Sequence, residues 1–172
     1  VPNMPPLMTS TGNFRLSSAF GLREDPVYGG AERHGGQDFA AAKGTAVYVT
    51  GDGVVEKVAY QFRGYGNEIV VDHGYGYKTR YAHLNTIEVA EGMKVTRGEK
   101  IGTVGNTGKS TGYHLHYEVI YKGDRKNPRN FMDVDMPATE YAAIINRQGS
   151  ESSAGRHSST MELLRRSKRN HE

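Results

Sequence analysis

Glycine spacing is the feature that most limits what this chain can fold into. Of its 22 glycines, those at 44, 51, 53, 64, 66, 74, 76, 92, 98, 102, 105, 108 and 112 cut the middle of the chain into short segments, several rich in Val, Ile, Tyr and Thr. Glycine disfavours helix interiors, and short runs of β-branched and aromatic residues between turn residues suit strands. The pattern therefore predicts an all-β domain of short strands. These are expected at 45–50 ("TAVYVT"), 53–60, 67–73, 77–84, 100–104 and 114–121, with "GYG" turning the third into the fourth as a hairpin.

Helical signals appear only late. "TEYAAIINR", 139–147, has a Thr that can cap and good helix formers behind it, and Ser159 and Glu162 have capping-box spacing in a short polar stretch. Between them "RQGSESSAGRHSS" has the composition of a linker. The expected organisation is an extended, Pro-rich lead-in on the surface (1–15), an ordered domain (16–148) and a polar, basic tail with a short helix (149–172).

At 172 residues the chain is long enough to bury a core without covalent staples, and with no cysteine it holds neither disulfides nor thiolate metal sites. No apolar run approaches the roughly 20 residues that span a bilayer. The chain starts at Val1 rather than methionine, which leaves room for a removed leader and so for export. The 22 Lys/Arg against 19 Asp/Glu first suggest a nucleic-acid partner. Five against three of these lie in 151–172, however, leaving a body of 17 against 16 with no basic stripe, which argues against that partner. The sequence does not bear on oligomeric state.

The chemistry-bearing residues begin with "HLHYEV", 114–119. Strand side chains alternate, so His114 and His116 share one face while Leu115, Tyr117 and Val119 form the apolar face behind them. Such a pair suits a metal or catalytic site, or two half-buried structural histidines. A second cluster is "ERHGGQDF", where His34 and Asp38 lie four apart. Gly35 and Gly36 disfavour a helix, and an extended or bulged strand would put His34, Gly36 and Asp38 on one face with room for an ion; an ordinary loop turn is the alternative. Two imidazoles and a carboxylate would make the three-ligand, open-position set of a catalytic zinc. His83, in "TRYAHLN", is expected near a strand end, and His73 beside the hairpin turn; His157 and His171 fall in the tail.

Together, HxGxD at His34, Gly36 and Asp38, "YAHL" around His83, and "GEKIGTVGNTGKSTGYHLHYEV" ending in HxH resemble the lysostaphin/LytM-type zinc metallopeptidases of bacterial cell walls. The resemblance runs from about Leu16 ("LSSAFGLREDP") to about Asp133, and none of the five motif positions is substituted. It implies a mainly antiparallel β-sheet groove with one zinc on its floor, held by His34, Asp38 and His116. His83 and His114 would be the catalytic pair, their division of labour open. The implied reaction is hydrolysis of peptide cross-links or stem peptides of peptidoglycan by an exported enzyme of the cell envelope. Both a D-Ala to diaminopimelate cross-link and a glycine bridge remain open as the bond cut, with the loops 60–67 and 105–113 expected to choose.

Two other readings stand beside this one. The chain could be a non-enzymatic envelope module that binds peptidoglycan or activates an amidase, against which the intact ligand set argues. "AEGMKVTRGEKIG" also resembles the carrier-lysine turn of biotinyl domains at Met93-Lys94, but its glycine-punctuated turns suit any β-barrel and such carriers do not need the His/Asp set.

Overall fold

The hairpin read from "GYG" forms around Tyr75 and Gly76. In the computed structural model, strands β7 (Glu68–Gly74) and β8 (Tyr77–Ala82) are antiparallel, with Gly74 opposite Tyr77. The two loop residues have φ of 54° and 89°, the left-handed pair that a two-residue type I′ turn needs. The structure describes residues 1–7, 14–18, 21–24, 31–108, 110, 112–132 and 136–152, and of these 14–18, 21–24, 31–34 and 148–152 by backbone alone.

The other described strands are β1 (Phe14–Ser18), β2 (Gly21–Glu24), β3 (Ala31–His34), β4 (Gln37–Ala41), β5 (Ala46–Tyr48), β6 (Gly53–Ala59), β9 (Leu84–Ile87), β10 (Lys94–Val95), β11 (Lys100–Val104), β12 (His114–Tyr121) and β13 (Asp124–Lys126). Every pairing among them is antiparallel. The large sheet runs β1-β4-β12-β8-β7-β6-β10 with β13 beside β12, a small sheet runs β5-β11-β9, and β2 pairs β3. The fold is therefore the all-β architecture the glycine pattern predicts, with the mainly antiparallel sheet that the family resemblance implies.

One core joins the two larger sheets. Phe39, Val55, Ile69, Val71, Tyr81, Leu115, Tyr117 and Val119 from the large sheet are buried together with Val47, Leu84, Ile101 and Val104 from the small one. β12 shows how alternation builds it: Leu115, Tyr117 and Val119 enter the core, leaving His114, His116 and Glu118 on the opposite face. The buried phenols are satisfied internally, Thr50 Oγ1 lying 2.7 Å from Tyr117 Oη and 3.1 Å from Tyr81 Oη.

The lead-in differs from its expectation. Residues 1–7 carry no regular structure but are packed rather than laid on the surface: Leu7 joins the main core, and Met4 is buried with Met136 and Tyr141. Proline lacks an N–H but keeps its carbonyl. Tyr48 N donates to Pro6 O (2.9 Å) and Tyr141 Oη to Pro5 O (2.7 Å), which ties the segment to β5 and to the helix.

That helix, α1 (Ala138–Ser152), contains the expected 139–147 stretch. It starts one residue earlier, so Thr139 lies inside its first turn rather than capping it, and it continues across the expected boundary at 148 into the segment read as linker. The second helix expected near Ser159, together with His157 and His171, lies outside the described residues. Lys94 sits on β10, paired with Val54, rather than at the tip of a hairpin as in the biotinyl resemblance. No helix among the described residues is long and apolar enough to cross a membrane.

Candidate active site

Register brings the site together. β12 lies between β4 and β8, and His116 stands opposite Asp38 on one side and Ala82 on the other. Directly opposed residues bring their side chains within reach, and Nδ1 of His116 is 2.7 Å from Asp38 Oδ1. Its other nitrogen, Nε2, is 2.8 Å from Glu118 Oε2, two residues along the same face. Burial by itself would lower the His116 pKa, but the hydrogen bonds and charges of Asp38 and Glu118 outweigh it and raise the group to about 9.

Glu118 is fully buried and held from several directions. Arg80, opposite it on β8, donates from Nη1 to Oε1 at 2.6 Å, and Tyr65 Oη donates to Oε2 at 2.8 Å. Arg80 also lies 3.1 Å from buried Glu68, which Lys57 reaches at 2.8 Å. Burial would raise the Glu118 pKa, yet His116, Arg80 and Tyr65 together hold it below its ordinary value, so the carboxylate is ionised. The Tyr65 ring has the Arg80 guanidinium carbon over it, 4.3 Å from the ring centre, and its centre is 5.9 Å from that of the His116 ring.

His83 sits between β8 and β9 with φ of 61°, a left-handed conformation uncommon outside glycine. Its ring centre is 4.8 Å from that of His114 and 6.1 Å from that of His116. Nδ1–H donates to Thr107 O at 2.5 Å, which fixes the tautomer and leaves the lone pair on Nε2. Burial lowers its pKa to about 4, the neighbouring histidines adding to the effect and the Thr107 bond and Asp38 opposing it, so the ring is neutral near pH 7. His114 is arranged in the same way. Nδ1 lies 2.8 Å from Gly112 O and 3.1 Å from Ser110 Oγ, which turns Nε2 toward Asp38, 3.9 Å away.

Four of the five residues singled out in the sequence, Asp38, His83, His114 and His116, thus meet at one place. For His34 the structure gives the backbone, the last residue of β3 opposite Gly21, while its side chain lies outside the described residues. The single strand expected to carry His34, Gly36 and Asp38 on one face is instead two strands in different sheets, broken at Gly35–Gly36. Close packing requires glycine at this break: a Cβ on Gly36 would lie 2.3 Å from the Tyr117 carbonyl oxygen and 3.0 Å from Cε1 of His116. Glycine therefore keeps the space beside the His116 ring open.

Asp38 Oδ1 and His116 Nδ1 are a carboxylate oxygen and an imidazole nitrogen converging from facing strands, donors of the kind that zinc takes. Among the described residues no group of three or more His, Cys, Asp or Glu donors closes on one point. His34 is the third ligand that the family resemblance implies. Sequence reasoning missed Glu118, Arg80 and Tyr65. Strand alternation does place Glu118 on the histidine face, whereas a loop tyrosine and a cross-strand arginine carry no sequence signal.

Residues 32–128 match the family model described as Peptidase family M23. The chain is 48% identical over 126 residues to the peptidoglycan DD-endopeptidase ShyA of Vibrio cholerae serotype O1, a match covering 72% of this chain and 28% of ShyA. Among solved structures, it is similar to a zinc-containing peptidase from Vibrio cholerae, with TM-score 0.65 and 38% identity over 73% of this chain and 39% of that one. It is also similar to the catalytic domain of lysostaphin from Staphylococcus simulans, with TM-score 0.63 and 29% identity over 69% of this chain and 92% of that one. The chain spans less than a third of the length of ShyA.

Proposed function

The chain belongs to peptidase family M23, and on that premise we propose that it is a zinc-dependent endopeptidase acting on the peptides of bacterial peptidoglycan. The observation that carries this reading is that His116 and His114 both approach Asp38 while His83 lies against their rings, with the Nδ1 atoms of His83 and His114 both tied to backbone carbonyls.

His34, Asp38 and His116 would hold one zinc ion per chain. When bound, zinc supplies Lewis-acid polarisation and a water-derived nucleophile near neutral pH. Asp38 would contribute an oxygen and His116 its Nδ1, while the Nε2–H of His116 donates to Glu118 and keeps the ring from turning. His83 and His114 each present an Nε2 lone pair, so either can take the proton of the attacking water. Once protonated, that ring can return the proton to the departing amine; the other ring can stabilise the oxyanion only as an imidazolium, donating from a protonated Nε2.

The name of the similar DD-endopeptidase ShyA favours the D-Ala to diaminopimelate cross-link over a glycine bridge as the bond cut. Such a substrate places the enzyme in the cell envelope after export. The test is to incubate the zinc-loaded protein with peptidoglycans of both bridge types and identify the new termini by mass spectrometry. New diaminopimelate amino termini support the reading, glycine termini redirect it to the bridge, and an inert protein that binds no zinc would leave the envelope binding module in its place.

A further inference from the structure

His83 is held in an unfavourable backbone conformation, and the structure shows what holds it. The single residue between β8 and β9 has its N–H bonded to Tyr65 O (2.8 Å), and the next residue, Leu84, has its N–H bonded to Asn67 O (3.0 Å). Both acceptors belong to the loop 60–67. The imidazole itself is pinned by a different loop, through Thr107 O. His83 therefore depends on two loops being in register with one another.

The two loops are joined through one hydroxyl. Thr107 Oγ1 donates to Leu84 O (2.9 Å) and accepts from Asn67 N (3.0 Å), while Asn67 Nδ2 donates to the same Leu84 carbonyl (3.1 Å). A threonine hydroxyl has one proton to donate and lone pairs to accept with, and here both capacities are used inside the junction. Close approach of the two backbones makes this possible. A Cβ on Gly66 would lie 2.3 Å from the Thr107 carbonyl carbon, and one on Gly108 would lie 2.3 Å from Gly66 N. Both glycines also have positive φ, 63° and 76°. Only glycine fits such a junction at these two points.

We propose that Thr107 is a positioning residue for His83. Its side chain clips the loop 105–113 onto Asn67 and Leu84, and its carbonyl, carried at the place so fixed, selects the Nδ1–H tautomer of His83 and aims Nε2 at the site. Thr107 touches neither Asp38 nor His116 through any bond in this junction, so the device serves proton handling rather than metal holding. This rests on the peptidase reading for its catalytic consequence, but not for the tautomer.

Thr107→Val keeps the side-chain shape and removes the hydroxyl, leaving Asn67 N without its acceptor. In the zinc-loaded full chain, 15N-detected histidine spectra of Thr107→Val are expected to show His83 shifting from one neutral tautomer to a mixture. The kcat on peptidoglycan should fall about tenfold to a hundredfold, the loss associated with misplacing a catalytic group, with zinc content and KM unchanged. Thr107→Ser restores the hydroxyl and should recover both the single tautomer and most of the rate. The proposal is overturned if Thr107→Val keeps the wild-type tautomer, or if Thr107→Ser is as impaired as Thr107→Val, which would assign the effect to methyl packing. A wild-type protein that cuts no peptidoglycan overturns the peptidase reading alone, because the tautomer comparison still decides the role of Thr107.

Discussion

Glu118 Oε2 lies 2.8 Å from Nε2 of His116, the ring nitrogen opposite the one that faces Asp38. A histidine that gives one nitrogen to a metal usually donates the other N–H to a carboxylate or carbonyl, which fixes its tautomer and strengthens it as a ligand. Glu118 can serve this way because Arg80 and Tyr65 hold its charge and its position inside the sheet.

Glu118→Gln should therefore weaken zinc binding without removing a ligand. The amide keeps the volume but loses the charge, and an affinity loss of roughly 10- to 100-fold is expected for a partner of this kind. Competition against a chelator of known strength measures it. Unchanged affinity would mean that the Glu118 contact serves the fold and not the metal.

His114 and His116 are separated by one residue on one strand face but should fail differently. His114→Ala is expected to keep zinc at one ion per chain and lose hydrolysis by roughly 100-fold or more, the scale of positioned acid–base catalysis. His116→Ala should lose both, and its melting temperature should fall too, because Asp38 and Glu118 are left facing a space without their shared partner. Metal analysis beside a peptidoglycan digestion assay separates the two. A His114→Ala protein digesting cell walls at the native rate would overturn its assignment.

The parts of this molecule that were legible in sequence are those governed by short-range rules. Alternation alone puts His114 and His116 on one face and Leu115, Tyr117 and Val119 in the core. The Tyr75–Gly76 turn is legible because few residues adopt two successive positive φ angles. What was not legible depends on neighbours far along the chain. The strand through His34 and Asp38 breaks at Gly35–Gly36, where the Tyr117 carbonyl, 81 residues beyond Gly36, comes too close for a side chain and so requires glycine. Met4 and Leu7 looked like part of a surface segment because prolines suppress any periodicity, yet both are buried. The loop partners of His83 follow the same logic: Asn67 opens an expected strand and Thr107 lies in a loop expected to choose the bond cut, and neither carries a sign that the two loops meet.

Opposite pKa shifts in two of the histidines give a pH signature. The His116 pKa is raised to about 9, so in chelated protein its contribution to stability is fully present below the ordinary value near 6.5 and is lost as pH rises through 9. That separation corresponds to at most about 3 kcal/mol. His83 is lowered to about 4, so the native state binds fewer protons than the unfolded chain between 4 and 6.5, and stability falls as pH drops through that window. Chelated protein should therefore be most stable near pH 6.5 and melt at lower temperature toward both pH 4.5 and pH 9. Saturating zinc should flatten the alkaline side, because His116 Nδ1 then carries the ion in place of a proton. Thermal melts across this range with and without zinc test it, and an alkaline slope unaffected by zinc would argue against His116 as a ligand.

Gly36 offers a test of how tightly the fold shapes the site. A methyl added there meets Tyr117 O at 2.3 Å, Glu118 Cγ at 2.9 Å and His116 Cε1 at 3.0 Å. The first of these is backbone in the middle of β12, which cannot move without disturbing its pairing with both β4 and β8. Gly36→Ala should therefore push the β3–β4 break away from β12 and destabilise the protein by about 1–3 kcal/mol, the usual cost of overpacking. Because His34 and Asp38 flank this break, zinc affinity should fall together with the melting temperature, although no ligand has been changed. Gly44→Ala is the contrasting control: its φ is positive, at 87°, where that of Gly36 is not, but a Cβ there meets nothing within 4 Å. That variant should lose some stability through backbone strain alone and keep its zinc affinity. If Gly36→Ala binds zinc as tightly as the parent, the glycine is needed for strand packing and not for shaping the metal site.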